Sequence, residues 1–432
     1  MGTDSVGGVR NVRSLVGSLL TRLYFARARR RGTGPSPEAL LPGSLLVILR
    51  RVGLDPVADM AKRCDSAPVT RLARWFGVNA WLVSGHGEVK AVLGRADVFS
   101  SSFARLVDSA GIDAAASPGG LGFSDPPEHT RLRRLLTPEF TRRRLVRLAP
   151  RIDEIVEGQL DAMAKESGPV DLVRSFALPV SSLTICELLG VSRADRHEFQ
   201  QLSTAHFDVS GGPDGLLAAM STSTSRLIDL VSRQRESPGD GLLGMLVREH
   251  GDEIDDRELA GIADGVLTGG LDSTASMLAL GALVLLRNPE SFELVRAEDD
   301  SVDTLMEELL RYLSPVQVAF PRFVREDVEV SGVGLRKGDL VLCSLSGANR
   351  DKSLGASMKR FDPTRRSSSH LAFGHGIHRC IGAELARMEL RAAYPALVRR
   401  FPGMRLAIDP EHIPYRKLSI VYGAESLPVL LS

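Results

Sequence analysis

The sequence predicts a mainly α protein with a small β region, organised around one long central helix. Three observations carry that prediction. Asp256 to Arg287 reads as an apolar helix, opened by Asp255 with Glu258 in its first turn and ended by Asn288-Pro289. At about 1.5 Å per residue, such a helix spans roughly 45 Å, the width of a whole domain. From Val316 to Leu342 the pattern changes to short β-like runs, with turns at Ser331-Gly332 and Lys337-Gly338. Near the C-terminus a glycine-punctuated loop, Phe373 to Gly382, carries Cys380 and runs into a helical segment, Ala383 to Ala396.

The remaining elements follow in order. Residues 1–45 form an N-terminal extension, either a basic amphipathic helix on an anionic surface or a poorly ordered terminus. Short helices at 44–51 and 56–62 are separated by Gly53 and Pro56. Val69–Arg74 and Ala80–Val83 read as strands, and Gly85-His86-Gly87 turns into a helix at Glu88–Leu93. Residues 99–122 lack periodicity, as a lid, a binding loop or a disordered segment does. Asp125-Pro126-Pro127-Glu128 is a helix-entry signal for His129–Leu136. Helices are then expected at 141–165, with a break at Pro150, and at 180–190, 193–208, 213–234, 240–250 and 301–313, with a break near Gly211. A β tail, Ile420 to Leu431, closes the chain.

The 432 residues carry a formal charge of +1 and are 43% hydrophobic, which gives no reason to invoke nucleic acid. Cys64, Cys186, Cys343 and Cys380 form neither a metal pair nor a disulfide framework, as suits a reducing cytoplasm. No uninterrupted apolar run of about 18 residues is present, so no transmembrane segment is expected.

Cys380 sits where a loop meets a helix start, so unpaired N–H groups and the positive helix end favour its thiolate. Gly374, Gly376 and Gly382 allow turns and close approach to something flat and large. A soft thiolate without a CxxC partner suits an iron whose other ligands come from a porphyrin. Glu308 and Arg311 lie three apart on a predicted helix, a spacing that lets them pair. Gly269 and Gly270 weaken the long helix just before Asp272, Ser273 and Thr274.

The string Phe373-x-x-Gly376-x-His378-x-Cys380-x-Gly382 closely resembles the haem-binding signature of the cytochrome P-450 family, in its soluble bacterial form. The resemblance covers the chain from about residue 60 onward. It implies a single-domain cytochrome P-450 fold over residues 46–432, holding heme b (iron protoporphyrin IX), with Cys380 as the iron ligand. It implies propionate contacts from His129, Arg133, Arg322 and His370, and a cofactor loop of Phe373, Gly374, Gly376, His378, Cys380 and Gly382. Glu308 and Arg311 are then expected to form a buried structural network with Arg360. Asp272 and Ser273 match the family's acid–alcohol pair for oxygen activation. The family's usual alcohol is threonine, which stands here at Thr274, one position later.

The activity so implied is that of a monooxygenase placing one atom of dioxygen into a small, largely apolar molecule. Neither a flavin nor a nicotinamide fingerprint occurs, so electrons are expected from a ferredoxin and a ferredoxin reductase. The basic stretch Arg131 to Arg151 is either their docking face or a solvated surface. Two rival readings stand beside this one. They are a haem–thiolate enzyme of oxidative coupling, desaturation or rearrangement, and a haem-binding sensor or scaffold. The pocket is expected to include residues 99–122, the break near Gly211, Leu267 and Val316 to Phe320.

Overall fold

The computed structural model describes residues 43–75, 78–102, 121–192, 194–196, 226–297, 302–366 and 369–432. The expectations for 1–42, for most of the 99–122 loop, and for much of the 193–234 region including Gly211 lie outside the described residues.

A helical body and a sheet region share the chain. The sheet region begins with helix α1 (Ala58–Ser66), strands β1 (Val69–Trp75) and β2 (Val78–Val83), helix α2 (His86–Gly94) and the two-residue β3 (Phe99–Ser100). Helices α3 (Glu128–Leu136) and α4 (Ala149–Met163), strand β4 (Val170–Asp171), and helices α5 (Leu178–Leu189), α6 (Leu242–His250) and α7 (Asp256–Arg287) follow. Pro150 takes a first-turn position of α4, where no N–H is needed, so the expected break falls earlier, in a 3-10 turn at Val146–Leu148.

The long helix has the predicted bounds. Asp255 and Glu258 form a reciprocal capping box at its start, each side chain meeting the other's backbone N–H. Among the described residues α7 is the one helix long and apolar enough to cross a membrane, but 78% of its apolar window is buried within the protein. It packs against α5 and, further along the chain, against α8 (Pro289–Ala297), α9 (Val302–Leu313) and α10 (Ala383–Arg400). Helix α8 was not expected. Pro289, read as a stop for α7, is also the first residue of the next helix.

Strands β5 (Arg322–Val324), β6 (Val328–Val330), β7 (Val333–Leu335) and β8 (Leu340–Cys343) occupy the predicted β segment, and β9 (Arg405–Leu406) and β10 (Pro428–Leu430) the C-terminal part. Five strands pair in the order β1-β2-β8-β5-β3, with β2 and β8 parallel and the other pairs antiparallel. The two-residue strands are too short to leave a period in the sequence. The expected tail is mostly irregular, held by single bridges Val316–Val421 and Tyr415–Ala424.

One contact fixes α10 across α7. The Tyr394 hydroxyl, fully buried, donates to the Met277 carbonyl at 2.6 Å. It occupies the space above Gly281, where a Cβ would lie 1.8 Å from the phenolic oxygen. The helix that follows Cys380 is thereby seated on the central helix.

Candidate active site

The Cys380 loop is shaped by its glycines. Gly374 and Gly376 have φ of +70° and +72°, in the left-handed region. A Cβ on Gly376 would lie 2.2 Å from the Leu93 carbonyl at the end of α2, so the loop passes directly against that helix. Cys380 N–H donates to the Phe373 carbonyl at 2.8 Å, closing the loop two residues before Gly382, the N-cap of α10. The thiol opens onto a cavity of about 230 Å3 lined by Arg133, Thr137, Arg379, Ile381 and Arg387 among others. Desolvation by the surrounding protein pushes the thiol up, against the pull of the Gly382 N–H and the guanidinium groups of Arg133, Arg379 and Arg387, although Cys380 itself is exposed. A bound metal ion deprotonates a coordinating thiol outright.

Behind the loop, Glu308 and Arg311 form a bidentate pair at 2.6 and 2.7 Å, both fully buried. Arg311 also donates to the carbonyls of Asn349, Met358 and Arg360. Arg360 contributes only that carbonyl, and its side chain is exposed. The second cation on Glu308 is Arg365, whose Nε lies 3.2 Å from Oε2. Arg365, not Arg360, completes the network. Four residues separate the two arginines, and the turn at Asp362–Arg365, closed by an N–H to carbonyl bond, brings the later one back to Glu308.

Basic side chains from three distant segments converge beside the loop. His129 (α3) and His378 (the loop) lie with ring centroids 4.2 Å apart. Burial, followed by the nearby Arg322, His129 and Arg133, pushes His378 down to about 3. Burial and Arg133 push His129 down as well. Arg322 is buried, and its Nη1 donates to the Phe320 and Pro321 carbonyls. The buried Nε2 of His129 has no hydrogen-bond partner. Crowded cations and an orphaned buried nitrogen are what two carboxylates would satisfy, so these residues fit the propionates of a haem. His370 is not part of this cluster. Its Nε2 is 2.9 Å from Glu307, and its Nδ1 accepts from the Ala372 N–H.

Glu307 left no signal in the sequence, because its partners His370 and Arg387 lie 63 and 80 residues further on. Adjacent helix residues point about 100° apart, so the two carboxylates serve different networks. Glu307 takes Arg387 at 2.5 and 2.9 Å together with His370, and the Arg387 guanidinium stacks over Phe373 at 4.7 Å. Ser101, whose hydroxyl is 3.0 Å from His378, lies in a segment without periodicity and left no signal.

On α7 the glycine pair divides. A Cβ on Gly269 would meet open space, whereas one on Gly270 would lie 2.4 Å from Ile185 of α5. Gly270 therefore serves helix packing. Gly265 is open like Gly269. Ser273, one turn on, shares this face and donates to the Gly269 carbonyl at 2.7 Å. Thr274 is buried on the packed side, and the buried Asp272 pairs with Arg416 at 3.4 Å. Leu267, expected at the pocket, is 1% exposed and belongs to the helical core. Phe320, 47% exposed, stands edge-on to Phe123.

In the basic stretch, Arg131 is taken by Glu258, Arg144 and Arg147 by Glu139, and Arg151 by Glu154 and Glu187. Arg134, Arg142 and Arg143 remain exposed.

The family description "Cytochrome P450" matches residues 229–411. Cytochrome P450 165B3 of Amycolatopsis orientalis is 39% identical over 389 residues, covering 88% of this chain and 97% of the relative. Nocardicin C N-oxygenase of Nocardia uniformis subsp. tsuyamanensis is 39% identical over 383 residues, covering 88% and 96%. Among solved structures, OxyC, a cytochrome P450 implicated in an oxidative C–C coupling reaction during vancomycin biosynthesis, superposes with a TM-score of 0.79 at 38% identity, covering 88% of this chain and 95% of that one. The chain belongs to the cytochrome P450 family, oxidoreductases that bind haem b and act on dioxygen with electrons from redox partners.

Proposed function

We propose that the protein is a haem–thiolate monooxygenase that inserts one oxygen atom into a largely apolar small molecule of secondary metabolism. The observation that carries this reading is the face of α7 on which Gly265 and Gly269 are open and Ser273 carries a hydroxyl, with Asp272 next to it. Haem, when bound, would supply the activation of dioxygen, with Cys380 as its thiolate ligand. The chain's own residues hold and serve it. Cys380 is the iron ligand. His129, Arg133, Arg322 and His378 receive the propionates. Ser273 positions a proton over the open face, and Asp272 resupplies it. Residues 46–432 act as one haem domain.

A ferredoxin and its reductase are the proposed electron donors, docking where Arg134, Arg142 and Arg143 are exposed. Four free cysteines support work in a reducing compartment such as the cytoplasm. The exposed Phe320 beside Phe123 supports an apolar substrate.

A second reading, oxidative coupling, is favoured by the likeness to OxyC. The nocardicin relative favours oxygen transfer to the same degree of identity. One experiment separates the two. Compounds that displace the iron-bound water are found from the Soret band, then turned over under 18O-labelled dioxygen. Insertion places one labelled atom in the product. Coupling leaves the product unlabelled and two hydrogens lighter, and that result would replace the first reading with the second.

A further inference from the structure

Three guanidinium groups face the cavity onto which the Cys380 thiol opens, those of Arg133, Arg379 and Arg387. They differ in what else holds them. Arg379 is exposed, so water and salt screen its charge. Arg133 is assigned to a propionate, which would offset it. Arg387, with its side chain 17% exposed, is fixed by protein on two sides. Its Nε and Nη2 donate to the two oxygens of Glu307 at 2.5 and 2.9 Å. Its guanidinium carbon lies 4.7 Å from the centre of the Phe373 ring. The carbonyl of that same phenylalanine accepts the Cys380 N–H, so the guanidinium rests on the residue that closes the cysteine loop. His370 completes the clamp. Its Nδ1 accepts from the Ala372 N–H, which leaves the proton on Nε2 to donate to Glu307 at 2.9 Å. Glu307 is thereby anchored to the loop as well as to α10. The ion pair is also oriented. Arg387 lines the cavity at the thiol and Glu307 does not, so the pair presents its positive end to the sulfur. The carboxylate that does line the cavity, Glu384, is met by Arg391 at 3.6 Å.

We propose that Arg387 is a fixed cation that favours the reduced state of the thiolate-ligated iron, with Glu307, His370 and Phe373 setting where its charge sits. The step concerned moves one electron. The ferredoxin-type donor loses it, the ferric iron gains it, and Arg387 keeps its proton throughout. An electron added beside a thiolate raises the local negative charge, and a nearby cation, little screened where it is partly buried, makes that less unfavourable. The inference rests on Cys380 as the iron ligand, so that assignment is checked first in each protein.

The test is a spectroelectrochemical titration of the ferric–ferrous couple in haem-loaded protein, at about 0.05 M and about 0.5 M salt. The ferrous carbon monoxide band is recorded beforehand for every protein. Arg387→Gln should lower the ferrous-to-ferric ratio at a given applied potential about tenfold, a shift of ~59 mV toward the negative. Arg387→Met, which keeps the apolar stem without the charge, should do the same. Arg387→Lys should restore most of the ratio, because the charge stays. The shift should persist at the higher salt. Arg400→Gln removes an equal charge at the far end of α10, where the arginine pairs with the exposed Asp161, and should leave the ratio unchanged.

A parent ratio in both neutral variants would overturn the proposal while the haem–thiolate reading stands. A shift in Arg387→Lys as large as in Arg387→Met would overturn it too, because packing on Phe373 rather than charge would then set the potential. So would a shift that vanishes at the higher salt or is matched by Arg400→Gln, since either marks a general surface charge. If both neutral variants lose the thiolate carbon monoxide band that the parent shows, Arg387 is a folding residue of the loop and the proposal falls. A parent without that band would sink the reading of Cys380, and the proposal with it.

Discussion

Ser273 and Thr274 offer two hydroxyls to one reaction, and the direction of each decides between them. Ser273 shares its face with the open Gly269, whereas Thr274 is buried on the side where Gly270 meets Ile185. Ser273→Ala should therefore keep haem and the carbon monoxide band but raise peroxide released per electron about tenfold, whereas Thr274→Ala should change it little. The reverse outcome would put Thr274 at the iron. A similar contrast applies among the thiols. Cys380→Ala should abolish the red-shifted Soret band of the reduced carbon monoxide complex. The buried Cys186 and Cys343, whose thiols burial pushes up to about 12, should tolerate alanine without losing it. A histidine-type band in the parent would sink the thiolate assignment. Cys380 and the serine were legible in the sequence because each sits in a pattern of fixed spacing. The division of labour between Gly269 and Gly270 was not, because it depends on Ile185, which lies on another helix.

Two adjacent carboxylates on α9 serve different networks. Glu308 binds Arg311 and Arg365 in the interior, and removing one partner of a buried pair costs about 3–5 kcal/mol. Glu308→Ala and Arg365→Ala should each leave little folded, haem-loaded protein, measured by soluble yield and melting. Arg360→Ala should lie within about 0.5 kcal/mol of the parent, since only its carbonyl is used. The pair Glu308–Arg311 was readable from helix spacing, but the choice of third partner was fixed by a turn, which spacing does not encode. Glu307 gives a pH dependence. Burial alone would raise its carboxyl, but Arg387 and His370 bring it down to about 2 from an ordinary 4.5. Its contribution is complete above the unfolded value and is lost as pH falls from about 4.5 toward 2. Acid titration of stability should therefore be shallower over that window in Glu307→Gln than in the parent. Equal slopes would show that the pairing with Arg387 does not persist in solution.

At the scale of the whole molecule, a bound haem would tie together segments that are far apart in the chain. His129 comes from α3, Arg322 from β5 and His378 from the loop before α10, and in the free protein the Arg322 guanidinium stands near two imidazoles whose protonation burial disfavours. A ligand that binds only the native state stabilises it, by about 4 kcal/mol when present a thousandfold above its Kd. Loading haem should accordingly raise Tm, by roughly 4–5 °C for a chain of 432 residues. His129 separates this coupling from ordinary packing. Its Nε2 is buried without a partner, and such an atom costs about 1–3 kcal/mol in the free protein. His129→Leu removes that cost and keeps most of the buried volume. The haem-free variant should therefore melt at or above the parent temperature, whereas the loaded variant should melt lower and give up haem faster to an acceptor globin. A variant that weakens both forms equally would mark His129 as a packing residue, and its imidazole would then have no part in holding a propionate.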